Sequence, residues 1–183
     1  MGLAGAVLYE LALAGRIDED GRKVRVLDPS PTGDPVVDGR LTALAADKPR
    51  SPRAAVERTA KGLKQVVLDD LTARGVLRRE RGKVMGLFPV NRYLPQHPEA
   101  LADARTRLAS AARTGRAFDD RTKALLALVC GVRLEKVVFP DRKTRPDRKQ
   151  RKAFAEDHWV GAATRKAVGN REGANAAAAS GGS

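Results

Sequence analysis

What most constrains this fold is the spacing of its apolar residues, which recur three and four positions apart in runs that glycine and proline cut short. Leu3, Val7, Leu8, Leu11 and Ala12 trace one face of a helix over residues 2–14, and Gly15 ends it. Ser51 followed by Pro52 is a cap and first-turn signal that opens a long helix to about Arg74, with Gly75 just beyond. Pro98 opens another, to about Arg113. In "FDDRTKALLALVCG", Asp119 or Asp120 caps an apolar run that reads as a buried helix stopped by Gly131. From Asp147 to Val168 the pattern predicts one or two amphipathic helices with Phe154 and Trp159 turned inward. None of these runs approaches the roughly 20 apolar residues needed to span a bilayer. At 183 residues there is room for one domain with a substantial core and not for two.

The remaining segments are shorter. "GRIDEDGRKVRVLD" alternates Val24 and Val26 with charges across a turn at Gly21, which predicts a small two-stranded piece. "DPSPTGDPVVDGRL" reads as a loop leading to a short helix over Val37 to Ala46. "GVLRRERGKVMGLFPV" has two apolar runs around "RERGK", a hairpin in outline. "VRLEKVVFP" is a helix or extended piece cut off by Pro140, and the tail "GNREGANAAAASGGS" is low-complexity and predicted disordered. The expectation is therefore a mainly α, single globular domain over residues 1–168 with one or two small β-hairpins, followed by a disordered tail at 169–183.

Several function classes drop out. Aromatic residues make up 4% of the chain, which leaves few rings for stacking unpaired bases. Cys130 is the one cysteine, and with only His97 and His158 beside it the sequence shows no zinc-ligand spacing and implies no cofactor. Neither a phosphate-cradling loop, a nucleophile elbow nor an HExxH motif is present. Asp69 with Asp70, and Asp119 with Asp120, are neighbours on predicted helices, where adjacent side chains diverge by about 100°. They read as caps and solvated faces, so no catalytic residue is predicted. The opening "MGLAGAVLYELALAG" contains Glu10 and lacks a basic leader, and Ala6 stands where a myristoylation signal needs Ser or Thr. A reducing, cytoplasmic setting follows as the default.

Net charge is +13 with a pI near 10.6, which favours anionic partners. The excess is densest in "FPDRKTRPDRKQRKAF", where Arg142, Lys143, Arg145, Arg148, Lys149, Arg151 and Lys152 surround Asp141 and Asp147. The plainest reading is a solvated, proline-interrupted linker. The functional one is a membrane surface contact, since an anionic bilayer attracts each nearby Lys or Arg by ~1 kcal/mol. A second possibility is nucleic acid: residues 63–90 outline a helix and wing, as in winged-helix DNA binders. Against it, Asp69 and Asp70 sit on the would-be reading helix, where phosphates repel them.

Four stretches, "GLAGAVLYELALAGRI", "SPTGDPVVDGRL", "LTARGVLRRERGKVMGLFPVNRYL" and "DDRTKALLALVCGVRLEKVVFP", occur in the order found in the Golgi phosphoprotein 3 family, which the chain resembles from Gly2 to Val168. The resemblance implies a central helical bundle ringed by amphipathic helices. In eukaryotic members it implies non-enzymatic binding of phosphatidylinositol 4-phosphate, assisted by a hydrophobic hairpin, and retention of glycosyltransferases through their cytoplasmic tails. For a bacterial member the implied role is a peripheral adaptor, reversibly membrane-associated, docking on anionic or phosphorylated lipid headgroups. Tails of membrane enzymes are a second implied partner. Within the family's headgroup pocket, Ala4 stands where the "GLxG" block has a basic residue. The basic pair placed before "LLAL" falls on Lys123 and Asp120, with Arg121 beside it. Arg121 and Lys123 are thus the headgroup candidates, and residues 142 to 152 the surface-contact candidates. If related chains carry a helix ahead of "GLAG", its absence predicts exposed apolar surface on residues 3 to 13.

Overall fold

The computed structural model describes residues 1–84 and 88–180, and its first element is helix α1 (Gly2–Leu13). Ala4, Val7, Leu8 and Leu11 are buried along it, while Leu3 and Leu13 stay 43% and 44% exposed, so only its margins show the apolar surface expected there. Strands β1 (Ile17–Asp20) and β2 (Lys23–Val26) pair antiparallel, Ile17 opposite Val26 and Asp20 opposite Lys23. Ile17 and Val24 point into the core. Helix α2 (Pro35–Ala45) starts at Asp34, whose carboxylate accepts from the amides of Val36 and Val37.

The long helix expected from Ser51 to Arg74 is instead two, α3 (Pro52–Thr59) and α4 (Leu63–Ala73). Between them Gly62 adopts φ +68°, a left-handed conformation that glycine takes without steric penalty and that no α-helix accommodates. The bend lets Val56 and Leu63, from separate helices, enter one core. The second hairpin joins β3 (Leu77–Val84) to β4 (Phe88–Pro95), with Leu77 opposite Pro95 and Val84 opposite Phe88. "RERGK" therefore lies within β3 rather than at the turn, and the connecting residues 85–87 lie outside the described residues.

Helix α5 (Pro98–Thr114) matches expectation, as does α6 (Asp120–Gly131), capped by the Asp119 carboxylate on the Thr122 amide. Glu135–Val138 forms a short α7 before Pro140, and a 3-10 turn at Arg142–Thr144 leads to α8 (Arg148–Glu156) and α9 (Trp159–Ser180). Phe154 and Trp159 both pack, half-buried, against the core.

Helix α6 is the centre of the molecule. Ala124, Ala127 and Leu128 join α1, α3 and α9 in one apolar cluster; Leu126, Val129 and Cys130 join Leu108 of α5, Phe139 and Ala155 of α8 in the other. The second half of α6, Leu126 to Gly131, is buried on every side and needs an unbroken apolar run rather than a stripe, which is why "LALVC" lacks polar interruptions, whereas Leu125 just before it stays 42% exposed. The result is the mainly helical single domain the sequence implies, with two small antiparallel hairpins. At its C-terminal end the structure departs from the disordered tail: α9 continues through Ser180, exposed from Gly169 onward. Alanine, which makes that segment low in complexity, is also the strongest helix former. No helix among the described residues is long and apolar enough to cross a membrane.

Candidate functional site

The basic run is ordered rather than a solvated linker. Buried Phe139 and Pro146 pin it at two points, and Asp141 caps the 3-10 turn by accepting from the Lys143 amide at 2.9 Å. Arg145 turns back on its own loop, donating from Nε to the Phe139 carbonyl and from Nη2 to the Pro140 carbonyl, each at 2.6 Å. It is a staple, not an outward-facing cation. At α8, the Asp147 carboxylate accepts from the Gln150 amide while the Gln150 side chain accepts from the Asp147 amide, both at 2.8 Å. This reciprocal cap fixes the first turn. Ala155 and Phe154 then face the core, leaving the cations outside.

Those cations differ in what they meet. Arg151 leans half-buried toward the buried carboxylate of Glu135, Nη1 to Oε1 3.6 Å, and Lys152 lies 4.0 Å from Glu156. Arg142, Lys143, Arg148 and Lys149 are exposed and, among the described residues, have no carboxylate within ion-pairing distance. Arg148 and Lys149 also occupy the first turn of α8, where the helix dipole disfavours positive charge by about 0.3–1 kcal/mol per residue. The Asp147 cap offsets that repulsion. Four cations with no ion-pair partner among the described residues, on a capped turn and a capped helix start, can meet a sheet of negative charge without first breaking an internal ion pair.

The two headgroup candidates are placed differently. Arg121 Nη2 contacts Glu10 Oε2 at 3.0 Å across α1, while Lys123 Nζ contacts Asp157 Oδ2 at 2.7 Å at the end of α8. The hydrogen bond from Lys123 to Asp157, and then the carboxylate's charge, raise the lysine pKa. Residues two apart on a helix point about 200° from each other, so Arg121 and Lys123 do not converge on one phosphate. Arg121 lines a depression with Arg107, Asp119 and Asp120; Lys123 lines another with Phe154 and Asp157. Ala4, at the third pocket position, is fully buried. A cation that the sequence reading passed over lies near it: Lys64 of α4, exposed and lining the same groove as Ala4. No spacing marks it, since Lys61, three residues before, precedes the break at Gly62 and lines a different depression.

Other candidates resolve into structural roles. Asp69 accepts from Gln65 at 2.8 Å and Asp70 pairs with Arg74 at 3.3 Å, so α4 presents engaged carboxylates and the exposed Val66 rather than base-reading groups. The geometry does not support DNA reading by residues 63–90. His97 meets Glu99 on the surface, and the Cys130 thiol is pushed up to about 12 by burial. Compared with known families, the chain matches the family model described as Golgi phosphoprotein 3 (GPP34) over residues 1–170. No curated protein matches it.

Proposed function

The chain belongs to the Golgi phosphoprotein 3 family, and on that premise we propose that it is a non-enzymatic adaptor that docks reversibly on anionic lipid surfaces. The observation that carries this reading is the set of unpaired cations at Arg142, Lys143, Arg148 and Lys149, held on ordered backbone. At ~1 kcal/mol per cation near a negatively charged leaflet, they supply about 4 kcal/mol as an upper bound. That corresponds to roughly millimolar affinity, a contact that forms and releases readily. Lys123, beside Asp157 at the end of α8, adds to it by exchanging an exposed ion pair, worth about 0–1 kcal/mol, for a lipid phosphate, whereas Arg121 faces α1 and contributes only if the protein meets lipid on that side. Cytoplasmic tails of membrane enzymes remain the second partner that family membership suggests.

Flotation with phosphatidylcholine vesicles, with and without phosphatidylserine or phosphatidylinositol 4-phosphate, tests the reading. The protein is expected to float with the anionic vesicles, to lose them as salt rises, and to ignore neutral ones. Equal binding to neutral and anionic vesicles ends the proposal. A gel shift of duplex DNA at the same salt, without vesicle binding, returns the function to nucleic acid.

A further inference from the structure

A groove of about 510 Å3 runs beside the first half of α1, and none of the cations at 142–152 lines it. Leu3 and Ala6 of α1, Leu63 of α4, and Leu125 and Val129 of α6 form its walls. Its volume lies within the roughly 300–1,000 Å3 of small-molecule sites, and its walls are hydrocarbon. Leu3 and Leu125 keep 43% and 42% of their surface in water along it, apolar area that gains by being covered. Among the described residues, Lys64 is the one charged side chain on the lining and has no ion-pair partner among them; Met1, whose amino group burial and then the charge of Arg171 hold below its usual pKa, lines the groove as well, so the charges there are positive.

This combination selects an occupant. An extended peptide would bring amides and carbonyls, and the walls offer no side-chain partner for them besides Lys64, so its backbone would lose hydrogen bonds on entry. A cationic amphiphile would meet Lys64 with like charge. A single hydrocarbon chain has no polar group to satisfy, and a negative head at its end would neutralise the lysine. We propose that the groove holds the tail of a single-chain anionic amphiphile, such as a fatty acid, with its head on Lys64 Nζ. The site takes a lipid chain out of water, whereas the cations at 142–152 lie on headgroups, so either can fail without the other.

Titration calorimetry of the full chain with laurate below its micelle concentration tests this. One site is expected, with butyrate and dodecyltrimethylammonium at least about tenfold weaker, for want of tail and of head charge respectively. Leu125→Asp, and the groove-filling Leu125→Trp, each weaken laurate by at least about tenfold. Both change a side chain that is already partly in water, and circular dichroism checks their folds; should one unfold, the other carries the comparison. Lys64→Glu lowers laurate affinity by about tenfold. Arg148→Glu with Lys149→Glu leaves it unchanged. The inference is overturned if laurate does not bind, if the folded Leu125 variants bind it as well as the parent, if the cationic amphiphile binds equally, or if the Arg148 and Lys149 reversals abolish binding.

Discussion

His158 joins a helix start to the protonation state of one ring. Its Nδ1 accepts from the Val160 amide at 3.2 Å at the opening of α9, and its ring lies 4.9 Å from that of Tyr9. Burial lowers its pKa; Asp18, Asp157 and Glu19 oppose that, and Lys123 reinforces it. Since the folded value is depressed, the unfolded chain takes up the proton more readily. The stabilisation is therefore complete above the unfolded pKa of about 6.5 and is lost as pH falls through the folded value. Between pH 7 and 5 the Tm should drop more for the parent than for His158→Asn, which keeps a capping oxygen and does not titrate there. Superimposable pH profiles would remove His158 from this role. Thr164 makes the opposite case, a buried hydroxyl with no hydrogen-bond partner in the described structure. Thr164→Val should be neutral or stabilising by about 1 kcal/mol in denaturant unfolding, because it removes an unmet polar group at constant shape. A marked loss of stability would mean that the hydroxyl has a partner. What was legible at this scale was local: Asp119 as a cap and Gly15 as a stop depend on neighbours within one turn. Arg121 against Glu10 was not, because no short-range pattern links residues 111 apart.

Between residue and fold, the elements show where periodicity misleads. From Ser51 to Arg74 the apolar spacing is compatible with one helix, and Gly62 alone carries the break, since a helix tolerates glycine at a cost of about 1 kcal/mol. Only the core shared by Val56 and Leu63 decides for the bend. The β3–β4 turn was misplaced for a related reason: "RERGK" contains glycine, yet the register puts Gly82 opposite Val90 inside the ladder. Helix α8 offers a test in which stability and binding move in opposite directions. Arg148 stands in its first turn against the helix dipole, so Arg148→Glu should stabilise α8 by about 0.3–1 kcal/mol, read as slower amide exchange. The same change should weaken binding to phosphatidylserine vesicles. Gains or losses in both together would show that Arg148 has no separate docking role. Asp147→Ala, which removes the reciprocal cap, should cost about 1 kcal/mol and speed exchange in the same turn.

At the level of the molecule, the sequence reading captured the mainly helical domain and the family, because both are distributed over long stretches that no single misjudged turn disturbs. The arrangement of charge was less accessible, since composition cannot say which cations fold against carboxylates. A net charge of +13 by itself would draw the protein to any anionic surface through unspecific attraction, screened beyond about 10 Å at 0.1 M salt. Local docking differs from this in one respect: it depends on which charges are removed, not only on how many. Replacing Arg142, Lys143, Arg148 and Lys149 with glutamine takes away cations that share one ordered turn and helix start. Replacing Arg22, Lys23, Arg40 and Lys48 takes away the same charge from β1–β2, α2 and the residues that follow it, Arg40 half-buried and the other three exposed. The first set should reduce affinity for phosphatidylserine vesicles by more than about tenfold and flatten its salt dependence; the second should leave both near the parent's values. Equal losses in the two sets would mean that net charge alone draws the protein to lipid, and the ordered strip would then have no part in membrane recognition.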